Sequence, residues 1–161
     1  MSIAQSLLPE FDQEMGNTRK MLERIPENKL DYKPDPKSRC AREIAWLIVR
    51  EEVVLGEGLE KGALEWQEIP APGTVKEVLN AYDRHHDELT KRLKAVAPAG
   101  WERKVPFMYQ GQEVMSETGY NNAWGFLFDI IHHRGQLSTY LRPMGSTVPQ
   151  IYGPSADEPM M

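Results

Sequence analysis

An all-α chain, folded as a four-helix bundle with long connections, is what this sequence predicts, and three observations predict it. Four segments carry apolar residues at helical spacing. The stretches between them are rich in proline and glycine. No long run alternates apolar and polar residues at the two-residue period of a half-buried strand. With 161 residues, the chain is long enough to bury one core without disulfide staples. It reads as a single domain, with residues 1–145 forming the bundle and 146–161 an extended C-terminal tail.

The first stripe runs through Ala4, Leu7 or Leu8, Phe11, Met15, Thr18, Leu22 and Ile25, and Pro26 ends it. Residues 26–38 hold three prolines and read as an ordered, extended connection. The second helix is expected over about 39–61, with Ser38 as N-cap and a stripe of Ala41, Ile44, Leu47 or Ile48, Glu51 or Glu52, Leu55 and Leu59. After a Pro-Gly loop at 70–73, Thr74 and Glu77 form a capping box opening the third helix. Its stripe is Val75, Val78 or Leu79, Tyr82, His86, Leu89, Leu93 and Val96. Residues 97–116 read as loop, with a small hairpin turning at Gln110-Gly111. The fourth helix spans about 117–142 and stops at Pro143 and Gly145. Its first half, Ala123 to Ile131, is apolar except for Asp129 and is expected to be the most buried stretch.

Composition narrows the function. Hydrophobic residues make up 40% and charged residues 27%, as in ordinary globular proteins. A net charge of −5 with no basic cluster argues against nucleic-acid binding. The longest apolar run, Ile44 to Val49, is too short to span a membrane, and the N-terminus lacks the features of a secretory signal. The expected location is the cytoplasm. Cys40 is the only cysteine, which excludes an internal disulfide and any Cys-x-x-Cys motif. Near the start of an apolar helix it reads first as a packing residue and second as a nucleophile.

The chemistry concentrates at Asp129 and His133. Residues four apart share a helix face with Cβ atoms roughly 5–6 Å apart. A carboxylate and an imidazole at that spacing suit zinc, iron, nickel or manganese, and equally suit a structural hydrogen bond. An unpaired carboxylate in so apolar a stretch is costly, so Asp129 needs a partner: a metal, His133 or an arginine. His132 points about 100° away from His133 and falls outside this pairing. His86 lies on the apolar face of the third helix, where a hydrogen-bonded core histidine is the ordinary reading, and His85 is expected in solvent. Glu51 is a candidate third carboxylate, although its place at the stripe edge also fits a surface residue. Trp46, Trp66, Trp101 and Trp124 read as core or lid residues. No phosphate-binding glycine loop, nucleophile elbow or zinc-finger spacing is present, and no catalytic residue is assigned.

The block His133-Arg134-Gly135-Gln136-Leu137-Ser138-Thr139-Tyr140-Leu141-Arg142-Pro143-Met144-Gly145 resembles the C-terminal signature of the DinB/YfiT-like superfamily. The segments Pro26 to Pro34 and Glu43-Ile44-Ala45-Trp46 extend the resemblance over nearly the whole chain. It implies a four-helix bundle of unusual connectivity, commonly a homodimer, with a metal site held by one histidine of the second helix and two of the fourth. It also implies thiol-dependent S-transferase chemistry, in which nickel or zinc activates a low-molecular-weight thiol against a small-molecule electrophile. This chain departs from that ligand set: Leu47 stands at the second-helix histidine and Asp129 at the first of the fourth helix, while His133 is retained. Glu51, one turn beyond Leu47, is the best-placed replacement, with His86 as a further third-ligand or pocket candidate. Two functions follow. One is a metal-dependent, thiol-using transferase; the other is a non-catalytic dimeric bundle that binds a small ligand or partner and keeps Asp129-His133 as a structural pair.

Overall fold

In the computed structural model, which describes residues 2–160, four long helices carry most of the chain: α1 (Ile3–Leu22), α2 (Ala41–Lys61), α3 (Val75–Ala95) and α5 (Gly119–Leu141). Both α1 and α2 pack against α3 and α5. The short helix α4 (Pro98–Glu102) and three strands, β1 (Leu64–Trp66), β2 (Lys104–Tyr109) and β3 (Gln112–Thr118), complete the fold. The chain is therefore mostly helical rather than all-α, because it carries a small sheet in the order β1-β2-β3.

Local chemistry sets the helix ends. Ser2 and Gln5 form a capping box at α1, and α1 closes at Leu22, earlier than the apolar stripe predicts. Ile25 nonetheless stays buried, so the stripe continues into the turn that follows. The expected box at α3 is present: the Thr74 hydroxyl accepts from the Glu77 N–H at 3.2 Å, and the Thr74 N–H donates to Glu77 Oε2 at 3.1 Å. At α2 the N-cap is Cys40 rather than Ser38, and Glu43 Oε2 accepts from the Cys40 N–H at 2.7 Å. Burial pushes the Cys40 thiol pKa up, which disfavours thiolate and supports the packing role over the nucleophile.

Residues 97–116, expected as loop and hairpin, hold α4 together with the hairpin. β2 and β3 pair antiparallel around Gln110-Gly111, where both residues have positive φ (50° and 76°), the requirement of a tight hairpin turn. β1 adds to β2 in parallel, with Leu64 opposite Phe107 and Trp66 opposite Tyr109. That strand lies against the end of α2 at Gly58, where a Cβ would stand 2.8 Å from the Leu64 Cα. Only a residue without a side chain lets β1 approach this closely, and the approach brings the segment Trp66 to Ala71 alongside α2.

The core is built from Leu7, Phe11 and Leu22 of α1, Ile44, Ile48 and Leu55 of α2, Tyr82, Leu89 and Leu93 of α3, and Ile130, Leu137 and Leu141 of α5. The first half of α5 departs from expectation. Ala123, Leu127 and Ile130 are buried, but Tyr120 and Phe128 are exposed and Trp124 is half-buried. Tyr120, Trp124 and Phe128 recur every fourth residue and stack on one another, with centroids 6.4 and 5.6 Å apart. They form an aromatic face that no other element of the described chain covers fully.

The tail beyond α5 is tied down. Arg24 reaches Thr147 and Glu158, and Tyr152 reaches the buried pair Glu14–Arg134. Among the described residues, no helix is long and apolar enough to cross a membrane.

Candidate metal centre

Glu51 from the middle of α2 and Asp129 and His133 from α5 converge where these two helices pack. One ligand atom from each lies within 4.8 Å of the others. His133 Nε2 stands 3.5 Å from Glu51 Oε1 and 3.5 Å from Asp129 Oδ1. Donor atoms held about 2.0–2.2 Å from a tetrahedral cation stand roughly 3.3–3.6 Å from one another. The two histidine–carboxylate spacings fit one ion.

The local hydrogen bonding points the same way. His133 Nδ1 faces Gln136 Oε1 at 3.0 Å. An amide oxygen only accepts, so Nδ1 carries a proton and Nε2 is the nitrogen turned to the two carboxylates, a donor to Asp129 in the protonated ring and a free lone pair in the neutral one. This is how an outer side chain fixes the tautomer of a ligating histidine. Glu51 is 2% exposed, and its Oε2 is buried without a hydrogen-bond partner. Burial, followed by the charge of Asp129, pushes the Glu51 pKa up to about 10. Asp129 moves the other way, lowered chiefly by its hydrogen bond to His133. Burial opposes protonation of His133, but the hydrogen bonds to Asp129 and Gln136 outweigh it and raise its pKa. Two carboxyl groups and an imidazole in one place need positive charge, from a proton or from a cation.

These positions correct the expectations for Asp129 and Glu51 and favour the core-histidine reading of His86 over its reading as a ligand. Asp129 is not a buried carboxylate: its side chain is 57% exposed, because it lies on the solvent side of the apolar stretch. Glu51 is not a surface-edge residue but the deepest member of the cluster. His86 supplies no third ligand. Its Nδ1 lies 3.1 Å from Glu52 Oε1 and its Nε2 3.1 Å from Asp12 Oδ1, so it is a satisfied core histidine linking α3 to α2 and α1. His85 is likewise less solvated than expected, with Nδ1 3.0 Å from Glu88.

The cluster opens into a cavity of about 1060 Å³ between α2, α5, the hairpin and the strand-to-helix segment at 66–71. Leu47 lines it one turn before Glu51, so the apolar residue faces the same space as the candidate ligands. Trp46 and Trp66 also line the cavity, and the Trp46 indole N–H donates to the Ile69 carbonyl at 2.9 Å, pinning the covering segment. This supports the lid reading for both. Trp101 is core, while Trp124 belongs to the half-covered aromatic face. The aromatic wall and the cavity itself were not foreseen, because β1 and the 66–71 segment reach α2 through tertiary contacts.

The sequence matches the DinB family over residues 1–160. No curated protein matches it. The fold is similar to crystal structures of a DinB-like protein from Bacillus cereus ATCC 10987 (TM-score 0.76, 21% identity, covering 92% of this chain and 97% of that one) and a DinB-like protein from Bacillus subtilis (TM-score 0.73, 19% identity, covering 91% and 97%). It is also similar to the mycothiol-dependent maleylpyruvate isomerase (TM-score 0.62, 10% identity), where the match covers 85% of this chain and 63% of that one. At these identities the structural likenesses speak for the fold. The match along nearly the whole sequence speaks for the family: the chain belongs to the DinB family.

Proposed function

We propose that this DinB-family chain is a metal-dependent enzyme, built as a four-helix bundle with a small sheet, that transfers a thiol to a small-molecule electrophile. The observation that carries the proposal is the Glu51–Asp129–His133 cluster at the wall of a large aromatic cavity. One imidazole and two carboxylates suit zinc or nickel as well as manganese or iron. Glu51, Asp129 and His133 would hold the ion, and three protein ligands leave one position of a tetrahedral centre open, as catalytic sites require. A thiol bound at such a centre is deprotonated outright, and the isomerase neighbour, which is mycothiol-dependent, supports thiol as the co-substrate.

The chain's own residues supply the rest. Gln136 holds His133 in the ligating tautomer. Glu51, whose pKa is raised by burial and by the charge of Asp129, would give up its proton to serve as a ligand to a bound cation. Trp46, Trp66 and Phe126 wall the cavity with apolar surface. Leu47 keeps a fourth protein ligand out.

Metal analysis of the purified protein tests the reading. About one equivalent of zinc or nickel per chain is expected, lost in the Asp129→Ala/His133→Ala variant. A native protein that takes up no metal after reconstitution would favour the non-catalytic reading, for which the 3.5 Å His133–Asp129 pair is then purely structural. Turnover is to be sought with low-molecular-weight thiols and electrophilic acceptors.

The exposed aromatic face of α5 supports a homodimer. Phe128 is 61% exposed and Met115 52%, and both also line the mouth of the cavity. A second copy seated there would cover them and narrow the entrance. Sedimentation should show a dimer for the native chain and a monomer for Phe128→Asp; a native monomer at all concentrations would remove the dimer from the proposal.

A further inference from the structure

Two arginines line the cavity: Arg39, which is exposed, and Arg50, which is half-buried. The Arg50 Nε is buried with no hydrogen-bond partner, and among the described residues its guanidinium forms no ion pair. Glu57, the acidic group whose charge reaches it, is engaged by Lys61 Nζ at 2.7 Å. The carboxylates of the lining are committed too: Glu43 to the Cys40 N–H at 2.7 Å and Glu68 to the Trp66 indole N–H at 3.2 Å, with Glu51 and Asp129 in the candidate metal cluster. Burial works against the charged form of Arg50 and lowers its pKa, yet a guanidinium stays protonated in proteins. A half-buried, permanently charged guanidinium with an orphaned donor at a cavity wall is stabilised when an anion completes it.

The neighbours define what surrounds that anion. Arg50 shares the cavity wall with Trp46 and Leu47 of α2 and with Trp66 and Phe107 of the sheet. The wall is therefore largely aromatic, and of its two arginines Arg39 is exposed while Arg50 is half-buried with an orphaned donor. The metal cluster, from the adjacent position Glu51, lies to one side of it.

We infer that the cavity binds a substrate with a planar apolar or aromatic body and an anionic group of the carboxylate or sulfonate type, and that Arg50 is the residue that selects the anion. This rests on the proposed function for the location of chemistry, but not for the binding itself. The metal cluster would act on the body of the molecule while Arg50 holds its anionic end, which fixes the orientation between them.

Two fluorescent probes with the same aromatic body separate the contributions: anilinonaphthalene sulfonate, which is anionic, and phenylnaphthylamine, which is neutral. Titration of the native protein, Arg50→Met and Arg50→Gln is read as dissociation constants, with thermal melting confirming that each variant is folded. Loss of a charge-assisted hydrogen bond is expected to weaken the sulfonate about tenfold or more in both variants, while the neutral probe changes less than about twofold. Arg50→Lys should recover part of the sulfonate affinity without restoring all of it, since an ammonium lacks the fork. Equal weakening of both probes, or sulfonate binding unchanged in both variants, would overturn the inference. Metal content keeps the two proposals apart. Arg50→Met should retain its metal while losing the sulfonate preference, and Asp129→Ala/His133→Ala should lose its metal while keeping that preference. A native protein without metal that still shows the Arg50-dependent preference would remove the enzyme reading and leave the anion site standing.

Discussion

Replacing Arg134 by methionine is expected to destabilise the protein by about 3–5 kcal/mol, the cost of leaving one half of a buried ion pair behind. Arg134 is 3% exposed and its partner Glu14 is 5% exposed. The guanidinium pairs with the Glu14 carboxylate, donates to Thr18 Oγ1 at 3.2 Å, and donates from Nη2 to the Tyr152 hydroxyl at 2.6 Å. Tyr152 in turn donates to Glu14 Oε2 at 2.8 Å, and its ring lies 5.3 Å from the guanidinium carbon. One side chain of α5 thus ties α1 and the C-terminal tail to the helix that carries Asp129 and His133. Methionine preserves most of the volume, so the loss measures the stranded Glu14 charge rather than a cavity. The double variant Glu14→Gln/Arg134→Met, which removes both charges, should recover most of the lost stability. Denaturant unfolding measures both. A single-variant cost below about 1 kcal/mol would show that the pair is not desolvated in solution.

The resemblance that marks the end of α5 acquires a physical meaning from this network. In His133-Arg134-Gly135-Gln136, His133 faces Glu51, Arg134 faces α1 on another side of the helix, and Gln136 returns to orient His133. Consecutive positions about 100° apart reach different neighbours, and this is why the segment was legible as a unit. The four long helices were legible for an equally local reason, because their apolar period and the Thr74–Glu77 box act within a few residues. The sheet was only half legible. Gln110-Gly111 marks its hairpin, but β1 is three residues long, too short for any period, and its parallel pairing to β2 joins segments some forty residues apart.

Burial was the least legible property. Asp129 sits among apolar neighbours in the chain, yet Phe128 and Tyr120 are themselves exposed, so apolar surroundings in sequence did not mean an apolar environment. Glu51 and Glu52 were indistinguishable at the stripe edge. In the structure they face different helices: Glu51 turns to Asp129 and His133 on α5, and Glu52 to His86 on α3. No sequence period separates two adjacent glutamates whose partners come from different helices. The one signal that favoured Glu51 was Leu47, because a site missing a ligand is most cheaply rebuilt one helical turn away.

Replacing Glu51 by glutamine is expected to raise the stability of the metal-free protein and to weaken its stabilisation by metal. Glu51 has a folded pKa of about 10 against an ordinary value of 4.5. Between those values the unfolded chain has lost the proton and the folded chain keeps it, so stability falls as pH rises through that window. Below about pH 4.5 the residue contributes no slope, and above about 10 the loss is complete. Glutamine cannot ionise and keeps nearly the same shape, so the variant lacks this penalty. With a chelator present, its melting temperature at pH 8 should exceed that of the native protein by about 5 °C or more. The gap should close as pH falls toward 4.5. His133, whose pKa is also raised, favours the fold at low pH in both proteins.

Zinc should reverse the order. A cation takes the place of the Glu51 proton, and the native protein gains stability with metal concentration, by about 4 kcal/mol at a thousandfold excess over Kd. The variant has lost one of three ligands. Even removal of an outer hydrogen-bond partner costs 10–100-fold in metal affinity, so a loss beyond about 100-fold is expected here. Melting curves at pH 8 with chelator and with graded zinc read both halves. If Glu51→Gln is the less stable protein in chelator, the buried carboxyl is satisfied by the protein alone, and the case for a cation beside Asp129 and His133 falls with it. If the curves cross, Glu51 costs the empty fold stability and repays it only when metal binds, as a ligand does and a structural residue does not.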